Sequence, residues 1–525
     1  MPVSASTAPV NSDVNFVRPE VQNSSKRWDV VRDCLGGSEA VKAKGPTYLP
    51  VPNAGDTSPA NQARYQQYKE RAIFYNVTKR TIEGWIGQVF SRDPLCEIPD
   101  GMDDLYDDIS GDGVSLDQQA KLALGYNMAY GRGGLLVDYP SVSGPMTIAE
   151  VKAGNIRPTI HLYEASDIIN WRTIKIGAQV VPNLIVLKER SATQSDGFSF
   201  EEQPQFRVLR LIQTTEGYAY TIEVWNQGED KEWVKGPTSV VRGPNGKPVE
   251  RILFYPFTSS GNNFACPFAP AYDLAMLNIG HYRNSADYEE SCFIVGQPTP
   301  VFAGLTQEWV DEVFKGSVEL GSRAAVPLPV GGTAMLLQVN PNTMTKEAMV
   351  HKEAQMVAIG ARIIKDDSVQ KTLGESQMEE ATDSSVLATA AKNISAAYSR
   401  ALAACGYLMG LTGDLKKYKY SLNTDFPASR LTPNERAQLI SEWQTGAITL
   451  SEMRAGMRRA GVATLDEVEY KAELEKNPPP EQVKMEAEQK AAKEAAALKT
   501  PPNAQQGQAG AHLNKGDGGG NQAGS

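Results

Sequence analysis

The most regular pattern of apolar and polar positions in the chain lies between residues 342 and 411. Residues 343–364 predict one helix, a polar break follows at 365–375, and residues 376–411 predict a second, much longer helix. Its apolar and small residues recur at alternating steps of four and three, which keeps them on one face: Leu387, Ala391, Ile394, Tyr398, Ala401, Cys405 and Leu408. About 35 helical residues make a rod of about 50 Å. From periodicity alone, the simplest interpretation is a long helix in the core of a large domain.

The residues before this stretch predict helices first and strands afterwards. Residues 1–57 are polar and rich in Gly and Pro, which predicts an irregular arm. Ser58 and Pro59 mark a helix start, and residues 64–90 predict a single helix. A capping box at Ser115 to Gln118 opens another helix. Strand patterns occupy residues 135–139, 159–163, 183–188, 206–214, 218–225 and 252–257. Because these strands are clustered, we expect an α+β region with antiparallel strands.

The rest of the chain predicts helices around a small insert, and then a polar tail. Residues 267–290 predict a helix, and residues 293–339 predict short strands around a helix at 307–314. Capping boxes beginning at Thr432, Thr449 and Thr464 predict three short helices after a strand at 418–423. From residue 477 the composition changes to Pro, then Ala/Glu/Lys/Gln, then Gly/Gln/Asn, which is typical of a disordered tail.

Composition narrows the classes of function. The 525 residues suffice for two to four domains, and the chain contains no apolar run of 18 residues that would predict a membrane span. The formal net charge of −10 argues against a protein that wraps nucleic acid in a basic surface. Five scattered cysteines without a Cys-x-x-Cys pair predict reduced, cytosolic synthesis and no zinc site.

Catalytic motifs are weak throughout the sequence. His161 lies in a predicted strand, His281 and His351 lie within predicted helices, and His512 lies in the tail, so structural roles are expected. The glycines from Gly131 to Gly134 could cradle an anion, but their place between a helix and a strand favours a C-cap and tight turn. We therefore predict no catalytic residue, no metal ligand and no cofactor.

The order of these elements, together with several sequence segments, resembles the portal proteins of tailed bacteriophages. In particular, the chain is similar to a portal-like phage family long labelled only as a domain of unknown function. The segments that carry the resemblance are YNVTKRTIEGWIGQVF (75–90), AYGRGGLLVD (129–138), YEASDIINW (163–171), LAMLNIGHYRNSADY (274–288) and GAITLSE (446–452). Their order, rather than any one of them, is the specific feature.

The resemblance implies a portal-like α+β architecture with an antiparallel-strand and helix wing, a two-helix stem that brackets a small αβ clip, a long wing helix and a short helical crown. The implied parts are an N-terminal arm (1–57), a wing (58–266), a stem helix (267–292), a clip (293–341), a second stem helix (342–364), a tunnel loop (365–375), the long wing helix (376–411), a C-terminal wing and crown (412–476) and a disordered tail (477–525).

The resemblance also implies a function. Portals form rings, of twelve subunits in the mature virion, at a capsid vertex, and double-stranded DNA passes through the ring during packaging and ejection without hydrolysis by the portal itself. The implied partners are further copies of the chain, the terminase large subunit, a head–tail adaptor, the major capsid and scaffold proteins, and DNA bound without sequence preference. The protein would be made in the host bacterial cytoplasm and would reside in the virion, with no membrane partner.

Within that resemblance, the tunnel loop would face the DNA. Its candidate channel-facing residues are Lys365, Ser368, Gln370, Lys371 and Thr372. Sparse lysines on an acidic chain would centre a duplex and leave it mobile, because a strongly basic bore would hold the phosphates too tightly. Two alternatives remain at this point: another structural virion protein, such as a neck adaptor or minor head protein, and an enzyme that acts on nucleic acid or on a small substrate.

Overall fold

The computed structural model describes a mixed helix and sheet protein. It describes residues 13–140, 156–194, 198, 200–215, 217–228, 230–296, 299–314, 327–337, 343–364, 385–411, 417–424, 426, 433–459, 462–463, 465, 467–478, 484–485 and 488. The chain divides into two compact units, Met1–Ala428 and Ser429–Ser525. The α+β class predicted from the sequence is confirmed.

Helices form the larger part of the described structure. The first unit contains α1 (Pro19–Ala43), α2 (Pro59–Arg71), α3 (Val77–Val89), α4 (Asp103–Asp107), α5 (Leu116–Tyr130), α6 (Tyr272–Gly296), α7 (Met344–Ile364) and α8 (Val386–Leu408). The second unit contains α9 (Pro433–Gln444), α10 (Leu450–Arg459) and α11 (Glu467–Lys476). No helix in the described part of the chain is long and apolar enough to cross a membrane.

The strands lie in the first unit and pair antiparallel, as predicted. They are β1 (Leu95–Glu97), β2 (Arg132–Asp138), β3 (Thr159–Glu164), β4 (Ile168–Ile176), β5 (Gln179–Gln194), β6 (Phe200–Thr214), β7 (Gly217–Gln227), β8 (Trp233–Val240), β9 (Phe254–Thr258), β10 (Thr299–Ala303), β11 (Thr333–Leu337) and β12 (Lys419–Ser421). One sheet has the order β3-β2-β9 and a larger one the order β4-β5-β6-β7-β8, while β1 pairs with β12 and β10 with β11.

Strand β8 was not predicted from the sequence. It contains Gly236 and Pro237, which ordinarily argue against a strand. The structure places β8 at the edge of the five-stranded sheet, next to β7. A proline is tolerated there because an edge strand needs hydrogen bonds on one side only.

The glycines before and within β2 have structural roles. Gly131 ends α5 with φ +81° and donates its N–H to the carbonyl of Asn127 at 2.8 Å. An added Cβ would lie 2.5 Å from the Phe257 ring at Gly133 and 2.2 Å from the Phe254 ring at Gly134. The C-cap and tight-turn interpretation of this motif is therefore confirmed, because the space beside both strand glycines is filled by aromatic rings.

The prediction of an irregular arm at residues 1–57 is wrong for Pro19–Ala43, which forms α1. The buried positions of α1 follow helical spacing but include a polar residue: Val21, Ser24, Trp28, Val31, Cys34 and Val41. In addition, Gly37 interrupts the helix with φ +82°. These two features weaken the helical signal in the sequence, and burial of the apolar face stabilises the helix nevertheless.

The prediction of one continuous helix over residues 64–90 is also wrong. Helix α2 ends at Arg71, α3 begins at Val77, and the chain between them is not helical. The Ile73 N–H donates to the Ser285 hydroxyl of α6 at 2.9 Å instead of to a carbonyl one turn earlier. Tertiary hydrogen bonds therefore override the local helical tendency. The predicted cap at Ser58 is confirmed, because its hydroxyl accepts from the Asn61 N–H.

Helix α8 lies in the main core, as its periodicity predicts. All seven residues of the predicted face are buried, with exposures between 0% and 5%. The prediction of one continuous helix over residues 376–411 is wrong, because Ser385 is not helical (ψ 154°) and its side chain accepts from the Ala388 N–H, so α8 begins at Val386. Residues 376–384 of the predicted helix lie outside the described residues. The 23 residues of α8 span about 35 Å rather than about 50 Å.

Buried polar contacts fix α8 among its neighbours. The Tyr398 hydroxyl donates to Gln119 Oε1 of α5 at 3.0 Å, and Gln119 Nε2 donates to the Ile160 carbonyl of β3 at 2.7 Å. The hydroxyl of the adjacent residue, Ser399, accepts from the Tyr420 N–H of β12 at 2.9 Å. The helix is thus tied to both a helix and two sheets.

The second unit consists of short helices in its described part. Thr449 and Glu452 form the predicted capping box: the Glu452 N–H donates to Thr449 Oγ1 at 3.3 Å, and the Thr449 N–H donates to Glu452 Oε2 at 2.8 Å. Gly446 ends the preceding helix region with φ +78°. The capping boxes predicted at Thr432 and Thr464 begin outside the described residues.

Candidate assembly surface

Helix α6 is anchored in the first unit by one fully buried amide, Asn278. Asn278 Oδ1 accepts from the N–H groups of Val77 and Thr78 at 3.1 Å each and from the Thr78 hydroxyl at 2.9 Å. Asn278 Nδ2 donates to the Tyr75 carbonyl at 2.8 Å. Because Val77 and Thr78 open α3, the Asn278 oxygen satisfies two N–H groups that a helix start leaves without an intrahelical partner. Asn76 caps the same helix through the Lys79 N–H.

Further polar contacts hold the second half of α6. The Tyr68 hydroxyl donates to Asp287 Oδ1 at 2.6 Å, and burial together with this hydrogen bond raises the pKa of Tyr68 well above its usual range. The Arg71 guanidinium pairs with Glu290. Arg283 Nε donates to the Tyr48 carbonyl at 2.7 Å. Helix α6 is thus fixed along one side over most of its length.

Helices α6 and α7 pack as an antiparallel pair. His281 Nε2 of α6 donates to Glu353 Oε1 of α7 at 3.0 Å, and Lys352 Nζ donates to Asn284 Oδ1 at 2.9 Å. The helices approach closely at Gly280, where an added Cβ would lie 3.2 Å from the Lys352 side chain. An early residue of α6, Asn278, and a late residue of α7, Gly360, both contact α3, whereas the strands that follow α6 and precede α7 pair with each other, so the two helices run antiparallel.

The C-terminal end of α7 is fixed to α3. Trp85 Nε1 donates to the Gly360 carbonyl at 3.0 Å, and an added Cβ on Gly360 would lie 3.0 Å from Thr81. Met356, one turn earlier, is fully buried. This end of the helix pair is therefore rooted in the helical core of the first unit.

The opposite face of α7 is apolar and exposed. We define the α7 stripe as Val350, Ala354, Val357 and Ala361, which are all exposed. Val350 and Val357 expose 57% and 70% of their surface. Steps of four, three and four place these residues on one line along the helix, the spacing that forms the seam of a coiled coil. An apolar line of this kind on a helix surface indicates packing against another protein surface.

A small hairpin connects the two helices at the end away from this root. Strands β10 and β11 pair with Val301 opposite Met335 and with Pro300 opposite Leu336. Val301, Met335 and Leu336 are all exposed, as are Phe293 and Ile294 at the end of α6. A two-stranded hairpin alone is marginally stable in water. Together with the α7 stripe, this apolar end forms the candidate assembly surface.

The predicted channel residues Lys365, Ser368, Gln370, Lys371 and Thr372 lie outside the described residues. The structure describes the helices on either side: α7 ends at Ile364, and α8 begins at Val386. These two helices are in contact within the first unit.

The described histidines have partners that suit structural roles. His161 Nε2 lies 3.0 Å from the Thr159 hydroxyl on β3, and His281 is buried between α6 and α7. His351 lies on α7 beside Gln355, with 3.1 Å between His351 Nε2 and Gln355 Nε2. Within the described part of the chain, no group of three or more His, Cys, Asp or Glu side chains could hold a metal ion.

Comparison with known proteins gives a limited picture. No curated protein sequence matches the chain. The solved structures that match include three with the titles "Neck of empty GTA particle computed with C6 symmetry", "Neck of native GTA particle computed with C12 symmetry" and "Virion of native gene transfer agent (GTA) particle". Their identities are 12%, 12% and 14%, and their TM-scores are 0.35, 0.34 and 0.34. They cover 74%, 76% and 76% of this chain and 90%, 93% and 94% of the matched chains. Likeness at this level carries no argument about function.

One family model matches part of the chain. The match covers residues 270–406, about a quarter of the sequence, and it includes α6, the hairpin, α7 and most of α8. The candidate assembly surface falls almost entirely within this segment. Residues 270–406 therefore match the family described as "Domain of unknown function (DUF4055)", in agreement with the resemblance to such a family found in the sequence.

Proposed function

We propose that this protein is the portal, or head–tail connector, of a tailed phage. In this role it forms a closed ring at a capsid vertex, through which double-stranded DNA enters during packaging and leaves during ejection. The observation that carries the proposal is the candidate assembly surface: an antiparallel helix pair, rooted in one unit, that presents an exposed apolar line and an apolar hairpin. Such surfaces are covered in oligomers.

The order of elements supports the portal over other virion proteins. Helix α6, the β10–β11 hairpin and α7 correspond to the stem helix, clip and second stem helix that the resemblance implies. In the proposal, residues 365–375 face the channel, and α8 connects the stem to the wing. The ring would meet the terminase large subunit and later a head–tail adaptor through the clip, and capsid and scaffold proteins around the wing. The protein would act without catalysing a reaction.

The ring itself is tested by the mass and shape of the purified protein. Mass photometry and negative-stain images are expected to show one closed ring, of about twelve copies by the resemblance to portals. The double variant Val350→Glu/Val357→Glu is expected to give monomers, because it would place two charges per copy inside an apolar seam. The circular dichroism spectrum of the variant should match that of the wild-type protein, since both side chains are exposed in the protomer and its fold does not depend on them.

The matched control is Val234→Glu/Val240→Glu on the edge strand β8, which adds the same charge at exposed valines. This control is expected to keep the ring. A wild-type protein that stays monomeric at micromolar concentration would contradict the proposal, as would a ring that survives the α7 changes. Nuclease activity or nucleotide hydrolysis by the purified chain would favour the enzyme alternative instead.

The channel assignment has a separate test. The double variant Lys365→Glu/Lys371→Glu is expected to lower the amount of DNA packaged or retained per particle. Two side chains that attract phosphates would be replaced by two that repel them, so the net charge of each copy would fall by about four units. DNase-protected DNA per particle measures the effect. The control Lys175→Glu/Lys247→Glu changes the same charge at exposed lysines of the wing region. Equal packaging and retention in the two variants would show that residues 365–375 have no functional contact with DNA.

A further inference from the structure

A cleft of about 900 Å³ lies at the surface of the first unit, away from the candidate assembly surface. Its walls come from the start of α1, from β4, β5 and β9, from the loop at residues 262–266 and from α8. Hydrogen-bond donors face it from several elements: Arg18, Asn23, Arg27, Asn262, Asn263 and Arg400. Glu20 is the one carboxylate among the residues that line the cleft.

The single carboxylate is already paired. Glu20 Oε1 lies 2.9 Å from Arg18 Nη2, and Glu20 Oε2 lies 3.2 Å from Arg18 Nε. Arg18 Nη1 also donates to the Trp171 carbonyl at 2.8 Å. Arg18 and Glu20 therefore compensate each other's charge, and the hydrogen-bonding capacity of Arg18 is largely used.

Two other arginines of the cleft have no carboxylate partner in the described part of the chain. Arg27 Nη2 donates to the Ser24 hydroxyl at 3.1 Å, and its guanidinium lies 5.1 Å from the centre of the Phe268 ring. Arg400 is exposed on α8, and the described residues offer it neither a hydrogen bond nor an ion pair. Both guanidinium groups thus retain donors for a ligand.

A third uncompensated charge, Arg132, lies directly behind the cleft wall. Arg132 is 1% exposed, its Nη1 donates to Cys266 Sγ at 2.8 Å, and its guanidinium lies 4.9 Å from the centre of the Trp171 ring. Trp171 and Cys266 both line the cleft. Arg132 Nη2 is buried without a hydrogen-bond partner among the described residues.

Burial acts against the charge of the Arg132 guanidinium. Burial lowers the pKa of the Arg132 guanidinium, but arginine starts so high that it keeps its charge at neutral pH. The Arg132 charge lies beside a thiol, an aromatic ring and the Arg18–Glu20 pair, whose two charges act on it in opposite directions, so it is costly unless a further anion compensates it. The local field of the cleft is therefore positive, although the chain as a whole carries a formal net charge of −10.

We propose that this cleft binds a phosphate group. Guanidinium forks match the oxygens of a phosphate, and the amides of Asn23 and Asn263 can supply further N–H donors, whereas the Asn262 amide already donates to the Pro256 and Asn393 carbonyls. The three arginines Arg27, Arg132 and Arg400 leave an excess of three positive charges. A ligand with one carboxylate would offset one of these charges, whereas a phosphate with two negative charges, or two neighbouring phosphodiesters, would offset two of them. The phosphate can come from a small molecule or from a DNA backbone, and the two sources are separated by experiment.

The test uses the full-length protein and two probes, inorganic pyrophosphate in calorimetric titration and a labelled 12-base-pair duplex in fluorescence anisotropy. Arg27→Gln and Arg400→Gln are each expected to weaken pyrophosphate binding about tenfold, the loss typical of one charge-assisted hydrogen bond. The control Arg190→Gln removes an exposed arginine on β5, paired with Glu202, and should leave the affinity unchanged. Sodium chloride at matched ionic strength separates specific binding from screening.

The duplex identifies the source of the phosphate. If both cleft variants weaken the duplex as well as pyrophosphate, the site takes a DNA backbone; if pyrophosphate binds and the duplex does not, the ligand is a small phosphate compound. The proposal is overturned if millimolar pyrophosphate gives no heat beyond the chloride control. It is also overturned if Arg190→Gln weakens binding as much as the cleft variants do.

Discussion

Replacing Asn278 with alanine is expected to lower the free energy of unfolding by about 3 to 5 kcal/mol, because three donors and one acceptor lose their partner at once. Asn278 is fully buried, so water cannot readily replace the amide. The side chain links the start of α3 to α6, next to the break between α2 and α3. Urea denaturation followed by circular dichroism, at one fixed protein concentration, measures the change.

The variant Asn278→Asp separates hydrogen bonding from packing. Aspartate keeps an acceptor for the Val77 and Thr78 N–H groups and places negative charge at the start of α3, where the helix dipole favours it. It loses the bond to the Tyr75 carbonyl. We therefore expect a loss clearly smaller than that of Asn278→Ala. Equal losses in the two variants would mean that the acceptor role of Asn278 contributes little.

Replacing Gly406 with alanine is expected to destabilise the protein by about 2 to 3 kcal/mol, although alanine is the better helix former. Gly406 lies inside α8, and an added Cβ would lie 2.2 Å from the Tyr418 hydroxyl and 2.5 Å from its ring. Tyr418 is itself buried, so it cannot move away without disturbing the core. Thermal unfolding in the same buffer measures the loss.

Gly84→Ala in α3 is the matched control for this prediction. Gly84 is exposed, and nothing lies within 4 Å of an added Cβ. Alanine there should stabilise the helix by about 0.5 to 1 kcal/mol, so the same substitution has opposite signs at the two positions. A stabilising Gly406→Ala would show that the close packing of α8 on Tyr418 is not as tight as the structure indicates.

The sequence predicted those helix starts, helix ends and buried faces that depend on residues close together in the chain. The buried face of α8, the capping boxes at Ser115 and Thr449 and the C-cap at Gly131 follow from spacing and side-chain type alone. The break before α3 could not be predicted in this way, because its hydrogen-bond partners, Asn278 and Ser285, lie about 200 residues later in the chain. Likewise, the sequence of α1 contains a buried serine and a glycine kink that conceal its apolar face.

The candidate site was partly accessible from the sequence. The order helix, insert, helix in the sequence predicted a stem and clip in the segment that matches the family model. The spacing of Val350, Ala354, Val357 and Ala361 was visible in the sequence, but only the structure shows that this line faces outward rather than toward α6. The arginine cleft could not be foreseen, since Arg27, Arg132 and Arg400 are brought together from α1, β2 and α8.

The α6–α7 pair is fixed at one end and carries its hairpin at the other, so it has the mechanics of a cantilever. Asn278, Asp287 and Glu290 on α6 and the bond from Trp85 to Gly360 on α7 form the clamp. From Glu290 to its end at Gly296, α6 extends about 9 Å beyond the last of these contacts. A load on the hairpin is therefore carried first by the contacts of Glu290 and Asp287 with α2, and only then by Asn278.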